Sequence, residues 1–229
     1  MAKVRQKTRG QAAAASGSNR ILWLTGILIL LLLVVGVVAA IGRGNPAPVD
    51  AALYEGVPAE GRFLGEADAP VLVREFIDFK CPHCGTASRD LIPRVIADYV
   101  ADGQVRLEFI PLAILDGSQP GAEASLCAEE QGRFMAYHDL LFANQTTLFD
   151  IENLTNLAGQ AGLDEQQFRA CLTEGKYTNQ VTQEHLTDFR NTGADSTPAT
   201  PTFFVNDVKI EGAVPYEQLQ AAIEGELNP

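Results

Sequence analysis

Val71-Leu72-Val73-Arg74-Glu75-Phe76-Ile77-Asp78-Phe79, followed after Lys80 by Cys81-Pro82-His83-Cys84, sets the architecture of the chain. The apolar run has the composition of a strand buried on both faces. A Cys-x-x-Cys between such a strand and a following helix puts its first sulfur at the helix N-terminus. Unpaired backbone N–H groups and the positive end of the helix dipole stabilise a thiolate there. Pro82 suits the first helical turn, where its missing N–H has no intrahelical partner to lose. His83 adds a ring that can donate to the Cys81 sulfur or carry charge beside it. The arrangement suits thiol–disulfide exchange. The competing readings are half of a zinc site and an inert staple. Two-plus-two zinc sites bring a second close Cys/His pair, whereas Cys127 and Cys171 are singletons far apart in sequence.

Downstream, Leu91/Val95/Tyr99 and Ile92/Ile96/Val100 form two i, i+4 rows, a broad apolar stripe on a helix. Pro93 falls inside it, removes the bond to the carbonyl of residue 89, and should kink it. Val105–Ile110 is the next strand, so a βαβ unit with parallel strands is expected. Residues 119–190 hold no convincing strand. Ala122–Gln131, Phe134–Ala143, Ile151–Ala161, Asp164–Thr173 and Tyr177–Arg190 read as short helices, with Asp164 as an N-cap. Thr202–Val205 and Val208–Ile210 follow as a hairpin turned at Asn206-Asp207. An amphipathic helix over Tyr216–Leu227 closes the chain. The expected order is βαβ, a helical block, then ββα.

The first 43 residues carry six Lys/Arg and no Asp or Glu. Ile21 to Gly42 is an uncharged apolar stretch that as a helix would extend roughly 33 Å, enough for a bilayer core. The charge asymmetry puts residues 1–20 in the cytoplasm and the chain beyond Arg43 outside. Trp23 sits near the cytoplasmic interface. A cleaved signal peptide would have a shorter apolar core, so an uncleaved anchor is expected, although Val38-Ala39-Ala40 offers small residues for cleavage. The expected organisation is a basic tail over 1–20, a transmembrane anchor over 21–42, a tether over 43–61 and one domain over 62–229. The residues after Arg43 hold 11 Lys/Arg against 29 Asp/Glu. With no basic stripe to neutralise phosphates, a nucleic-acid partner is not expected. An extracytoplasmic domain fits disulfide chemistry, which cytosolic reductants oppose.

Four stretches together resemble one family. Glu75-Phe76-Ile77-Asp78-Phe79-Lys80-Cys81-Pro82-His83-Cys84 and Ala199-Thr200-Pro201-Thr202-Phe203-Phe204-Val205-Asn206 are similar to the two signatures of the DsbA-like thiol:disulfide oxidoreductases. Glu130-Gln131-Gly132-Arg133-Phe134 and Tyr137-His138-Asp139 match between them. The resemblance covers about residues 60–229 and is nearest the membrane-anchored, BdbD-like kind. It implies an α/β thioredoxin-like fold with a helical subdomain inserted at about 113–192. It also implies that Cys81 is the attacking sulfur, exposed at the helix start, and that the more buried Cys84 resolves the mixed disulfide. Pro82 and His83 would tune the pair, with His83 responsible for the extra lowering of the thiol. Pro201 fits the family's cis-proline better than Pro198, since it directly precedes the strand, and the Thr200 backbone would then pair with an extended substrate. Glu75, under the disulfide, would shuttle protons from a raised pKa; the blander alternative is a half-exposed strand charge paired to a Lys. Asp78 is the weaker candidate.

The resemblance implies reduced exported proteins as substrates, a quinone-linked membrane reoxidase (DsbB- or VKOR-like) as partner, a monomer, and no metal or organic cofactor. A reductase or isomerase on the same dithiol is one alternative; a non-catalytic envelope chaperone or binding module with a static disulfide is another. An exported protein should not leave Cys127 and Cys171 as exposed free thiols, so a structural disulfide between them is expected, against two buried reduced cysteines. His138 and His185, on helices with acidic neighbours, read as solvated or capping residues. Asn144-Gln145-Thr146 and Asn153-Leu154-Thr155 match glycosylation acceptors, a pattern that arises by chance.

Overall fold

The structure, a computed structural model, describes residues 51–193 and 198–228. The expected tail and anchor, residues 1–20 and 21–42, lie outside the described residues. Among the described residues no helix is long and apolar enough to cross a membrane.

The sheet grows from the apolar run before the dithiol. Strand β3 (Val71–Ile77) pairs in parallel with β4 (Val105–Pro111), Glu75 opposite Phe109, and antiparallel with β5 (Thr202–Val205), Glu75 opposite Phe203. Two short strands, β1 (Ala59–Glu60) and β2 (Phe63–Leu64), extend the β4 edge, and β6 (Val208–Glu211) extends the β5 edge. The order is β1-β2-β4-β3-β5-β6. Alternation along β3 sends Val71, Val73 and Ile77 into the main core, while Phe76 packs behind the sheet with Ile110, Phe189 and Phe204. Glu75 shares the parity of Val73 and Ile77.

Helix α1 crosses from β3 to β4. It starts as Pro82–Thr86, widens to a π turn over Ala87–Leu91, resumes as Ile92–Val95 and widens again over Ile96–Val100. The first π turn ends just before Pro93, where the missing N–H breaks the regular ladder. Both apolar rows are buried, with no member more than 6% exposed. Between β4 and β5 come α2 (Gln119–Glu130), α3 (Phe134–Ala143), α4 (Ile151–Gln160), α5 (Glu165–Thr173) and α6, which is π over Gln180–Glu184 and α over His185–Asn191. Asp164 caps α5, its carboxylate accepting from the N–H groups of Gln166 and Gln167. The β5–β6 hairpin turns at Asn206-Asp207 with Asn206 at φ 48°. Asn206 also bonds both backbone groups of Leu72, so the turn is pinned to β3. Helix α7 (Tyr216–Leu227) packs on β3 and β5.

Two expectations need correction. The tether expected over 43–61 contains a 3₁₀ turn at Ala51–Tyr54 and strand β1. Leu53, Tyr54 and Val57 pack on the core, and the Tyr54 hydroxyl donates to Asp139 at 2.7 Å. His138 and His185 are not solvated, being 1% and 4% exposed. His138 lies among Phe79, Phe109, Phe134 and Phe142, its Nδ1 2.8 Å from Asp139 Oδ1. His185 Nδ1 lies 2.5 Å from the Pro111 carbonyl, and burial pushes its pKa down.

Candidate active site

Cys81 is the N-cap of α1, with extended backbone (φ −76°, ψ 117°) and Pro82 in the first turn. That conformation turns the chain from strand to helix within one residue and places the sulfur at the helix N-terminus, where its side chain makes no cap hydrogen bond. The thiol donates to the Thr200 carbonyl at 3.2 Å, and the Thr200–Pro201 peptide is cis. Cys81, Cys84, Thr200 and Pro201, expected from separate parts of the sequence, therefore meet at one place. Cys81 is less open than expected, at 6% exposed, because the Thr200 segment covers its sulfur. Cys84, one turn further, is fully buried. Both are free thiols.

The two thiols are driven apart electrostatically. Cys81 is lowered from 9.0 to about 5. The Cys84 thiol hydrogen bond is the largest favourable cause; the Thr200 side chain and the backbone N–H groups of Cys84 and His83 add to it, against an opposing effect of burial. Ionisation thus trades one bond to a carbonyl for several donors. What His83 supplies here is its backbone N–H; its side chain is exposed on the rim with Pro82. Burial first, then the bond to Cys81, pushes the Cys84 thiol far up, opposed by the Asp78 backbone N–H and reinforced by the charge of Glu75.

Glu75 is 1% exposed, and burial raises its carboxyl from 4.5 to about 8. The half-exposed, Lys-paired alternative therefore does not hold. Asp78 is fully buried, and its carboxylate accepts the N–H groups of Lys80, Ile114 and Leu115. It thereby ties the loop before the dithiol to the segment after β4.

Two residues given no role by the sequence fasten this loop to the segment after α3. Lys80 Nζ donates to the carbonyls of Gln145 and Thr147 at 2.9 and 2.5 Å and lies over the Phe149 ring at 3.7 Å. Gln145 Nε2 returns bonds to the carbonyls of Phe79 and Cys81, at 3.0 and 2.8 Å. No local pattern joins positions 64 apart. In the helical block, a disulfide joins Cys127 on α2 to Cys171 on α5, with Cα atoms 6.0 Å apart. It links the first and fourth helices of the block. Among the described residues no cluster of His, Cys, Asp and Glu suits a metal ion.

A family model described as thioredoxin matches residues 59–225. Disulfide bond formation protein D of Bacillus subtilis is 28% identical over 194 residues, covering 81% of this chain and 84% of that protein. Na(+)/H(+) antiporter NhaA 3 of Salinispora tropica is 34% identical over 169 residues, 72% of this chain. The chain spans only 24% of the length of that antiporter, and the same share of NhaA 1 of Salinispora arenicola. The crystal structure of oxidised BdbD from B. subtilis superposes with a TM-score of 0.67 at 28% identity, covering 74% of this chain and 94% of that one. DsbA of Chlamydia trachomatis, at 21% identity and a TM-score of 0.64, shares the fold. With the strand–dithiol–helix junction and the cis-proline beside it, these matches place the chain in the thioredoxin family, with the fold of BdbD and DsbA.

Proposed function

We propose that the chain is a membrane-anchored, extracytoplasmic disulfide oxidase that passes the Cys81–Cys84 disulfide to reduced exported proteins. The observation that carries this reading is the geometry of the dithiol: Cys81 caps α1 against the Thr200 carbonyl and Cys84 is fully buried one turn behind it, an arrangement in which the Cys81 thiol is lowered and the Cys84 thiol raised. A stabilised Cys81 thiolate favours the reduced enzyme, so the oxidised enzyme draws electrons from substrate.

In the proposed cycle a substrate thiolate attacks Cys81 Sγ. The Cys81–Cys84 bond breaks, a mixed disulfide forms on Cys81, and Cys84 leaves with the electron pair and takes up a proton. Glu75, protonated at neutral pH beneath it, is the proposed donor. A second substrate thiolate then attacks the substrate sulfur of the mixed disulfide, releasing the substrate disulfide and the Cys81 thiolate. Two electrons move from substrate to enzyme. Of the two substrate protons, one restores Glu75, whose own proton now rests on Cys84, and the other passes to solvent. Thr200 and Pro201 would hold the extended substrate against the dithiol. A quinone-linked membrane reoxidase would remove the two electrons. The Cys127–Cys171 disulfide is a structural staple, and residues 21–42 are the anchor.

The test is oxidative refolding of a reduced, disulfide-dependent protein by the oxidised chain. One substrate disulfide should form per enzyme disulfide consumed, and Cys81→Ala should abolish the reaction. Failure of the oxidised chain to oxidise such a substrate, together with efficient reduction of disulfides by its dithiol form, would reverse the assignment to a reductase.

A further inference from the structure

We propose that Gln145 is a positioning residue for the dithiol. By holding the Phe79 and Cys81 carbonyls, it keeps the Cys81 peptide turned so that the Cys81 sulfur stays at the N-terminus of α1. The inference rests on the oxidase reading above and deepens it, assigning part of the tuning of the dithiol to a residue of the helical block.

The junction between β3 and α1 is fastened from outside itself. Gln145 lies just beyond α3, and its side-chain amide donates to Cys81 O at 2.8 Å, closer than the 3.2 Å of the first helical bond from Gly85 N to the same oxygen. A carbonyl has two lone pairs and accepts both. The second bond, to Phe79 O at 3.0 Å, fixes the amide plane. Lys80 adds two bonds in return, to the carbonyls of Gln145 and Thr147. Four hydrogen bonds thus cross between the catalytic loop and the segment after α3, each segment donating to the other's backbone. Gly85 makes the approach possible. A Cβ there would run into Gln145 Oε1 and lie 2.9 Å from its Cδ. The glycine thus has a packing reason on the helix that carries the thiols.

The consequence falls mainly on one redox state. Cys81 caps α1 without a side-chain hydrogen bond to its amides, and the backbone N–H groups of His83 and Cys84 at the helix start still lower its pKa. Their aim depends on the Cys81 ψ angle, which the orientation of its carbonyl defines. A thiolate gains from that aim, whereas a neutral disulfide sulfur gains little. Loosening the carbonyl should therefore weaken the reduced form selectively.

Gln145→Met keeps the length and bulk of the side chain and removes the donor. Gly85→Ala leaves Gln145 intact and displaces it. For each, the Cys81 titration is followed by thiolate absorbance, and the equilibrium of enzyme disulfide plus two glutathione with enzyme dithiol plus glutathione disulfide is measured. Both variants should raise the Cys81 midpoint by about one pH unit and lower the equilibrium constant about tenfold, the two being the same free energy. Unchanged values, within about twofold of the wild type, would overturn the proposal even if both redox forms lost stability equally, because that is what a purely structural clamp would do. Should Gln145→Met fail to fold, Gly85→Ala decides by the same readout. A wild-type midpoint near 9 would instead bring down the oxidase reading itself, so the two failures are distinguishable.

Discussion

Replacing Glu75 by Gln should stabilise the reduced protein, and increasingly so as pH rises from 4.5 to 8. Glu75 is 1% exposed on β3, and burial raises its carboxyl from 4.5 to about 8. In the unfolded chain the group ionises near 4.5; in the fold it keeps its proton until about 8. Between those values the native state binds the extra proton, so stability falls with rising pH. Below 4.5 the penalty is absent, and above 8 it is constant. At ~1.36 kcal/mol per pH unit the penalty at pH 7 is of order 3 kcal/mol. Gln has the same shape and no charge to bury. Cys81 contributes an opposite slope, because its folded value is depressed: its stabilisation is complete above 9 and is lost as pH falls through about 5. That slope is common to both proteins and cancels in the difference. Urea unfolding of reduced wild type and Glu75→Gln at about pH 4.5, 6, 7 and 8 should show the variant gaining steadily on the wild type. A difference that does not vary with pH would refute the buried, protonated Glu75.

The Cys81 thiolate should titrate near 5, and Cys84→Ala should raise that midpoint more than His83→Ala, which leaves the His83 backbone N–H in place; alkylation rate against pH checks both. Replacing Cys127 and Cys171 by Ala removes a cross-link of sequence separation 44. It should cost at most about 4 kcal/mol on the chain-entropy account, leaving the Cys81 midpoint unchanged; denaturant unfolding and the same titration decide. Full-length protein should stay in the membrane fraction after a carbonate wash, whereas a soluble mature form beginning near Ile41 would replace the anchor with a cleaved signal.

The parts legible in the sequence were those written locally. A largely apolar run, a Cys-x-x-Cys and a Thr-Pro before a hairpin are each recognisable within a short window, and they define the central strand, the dithiol and the covering loop. Helix α3 and the Asp164 cap follow the same rule, since periodicity and capping are short-range signals. Strands β1 and β2 are two residues each, too short for any period. The burial of His138 could not be read from its acidic neighbour, because that neighbour, Asp139, is the partner that makes the burial tolerable. Gln145 was hidden for a different reason. Its contact with Cys81 spans 64 positions and its triplet resembles a glycosylation acceptor, so only the folded chain shows which carbonyl it holds. The π turns of α1 also escaped, because the buried rows fit an ordinary α period.

Substrate oxidation, substrate reduction and a static staple differ in one quantity, the reduction potential of the Cys81–Cys84 pair. Equilibration of the full chain in glutathione buffers of graded ratio, with the redox state read by alkylation and mass, gives the value. A thiolate held near 5 beside a thiol held far above its ordinary value predicts an oxidising couple, above about −180 mV. A potential near or below about −270 mV, where reductases and structural disulfides lie, would be incompatible with a disulfide oxidase.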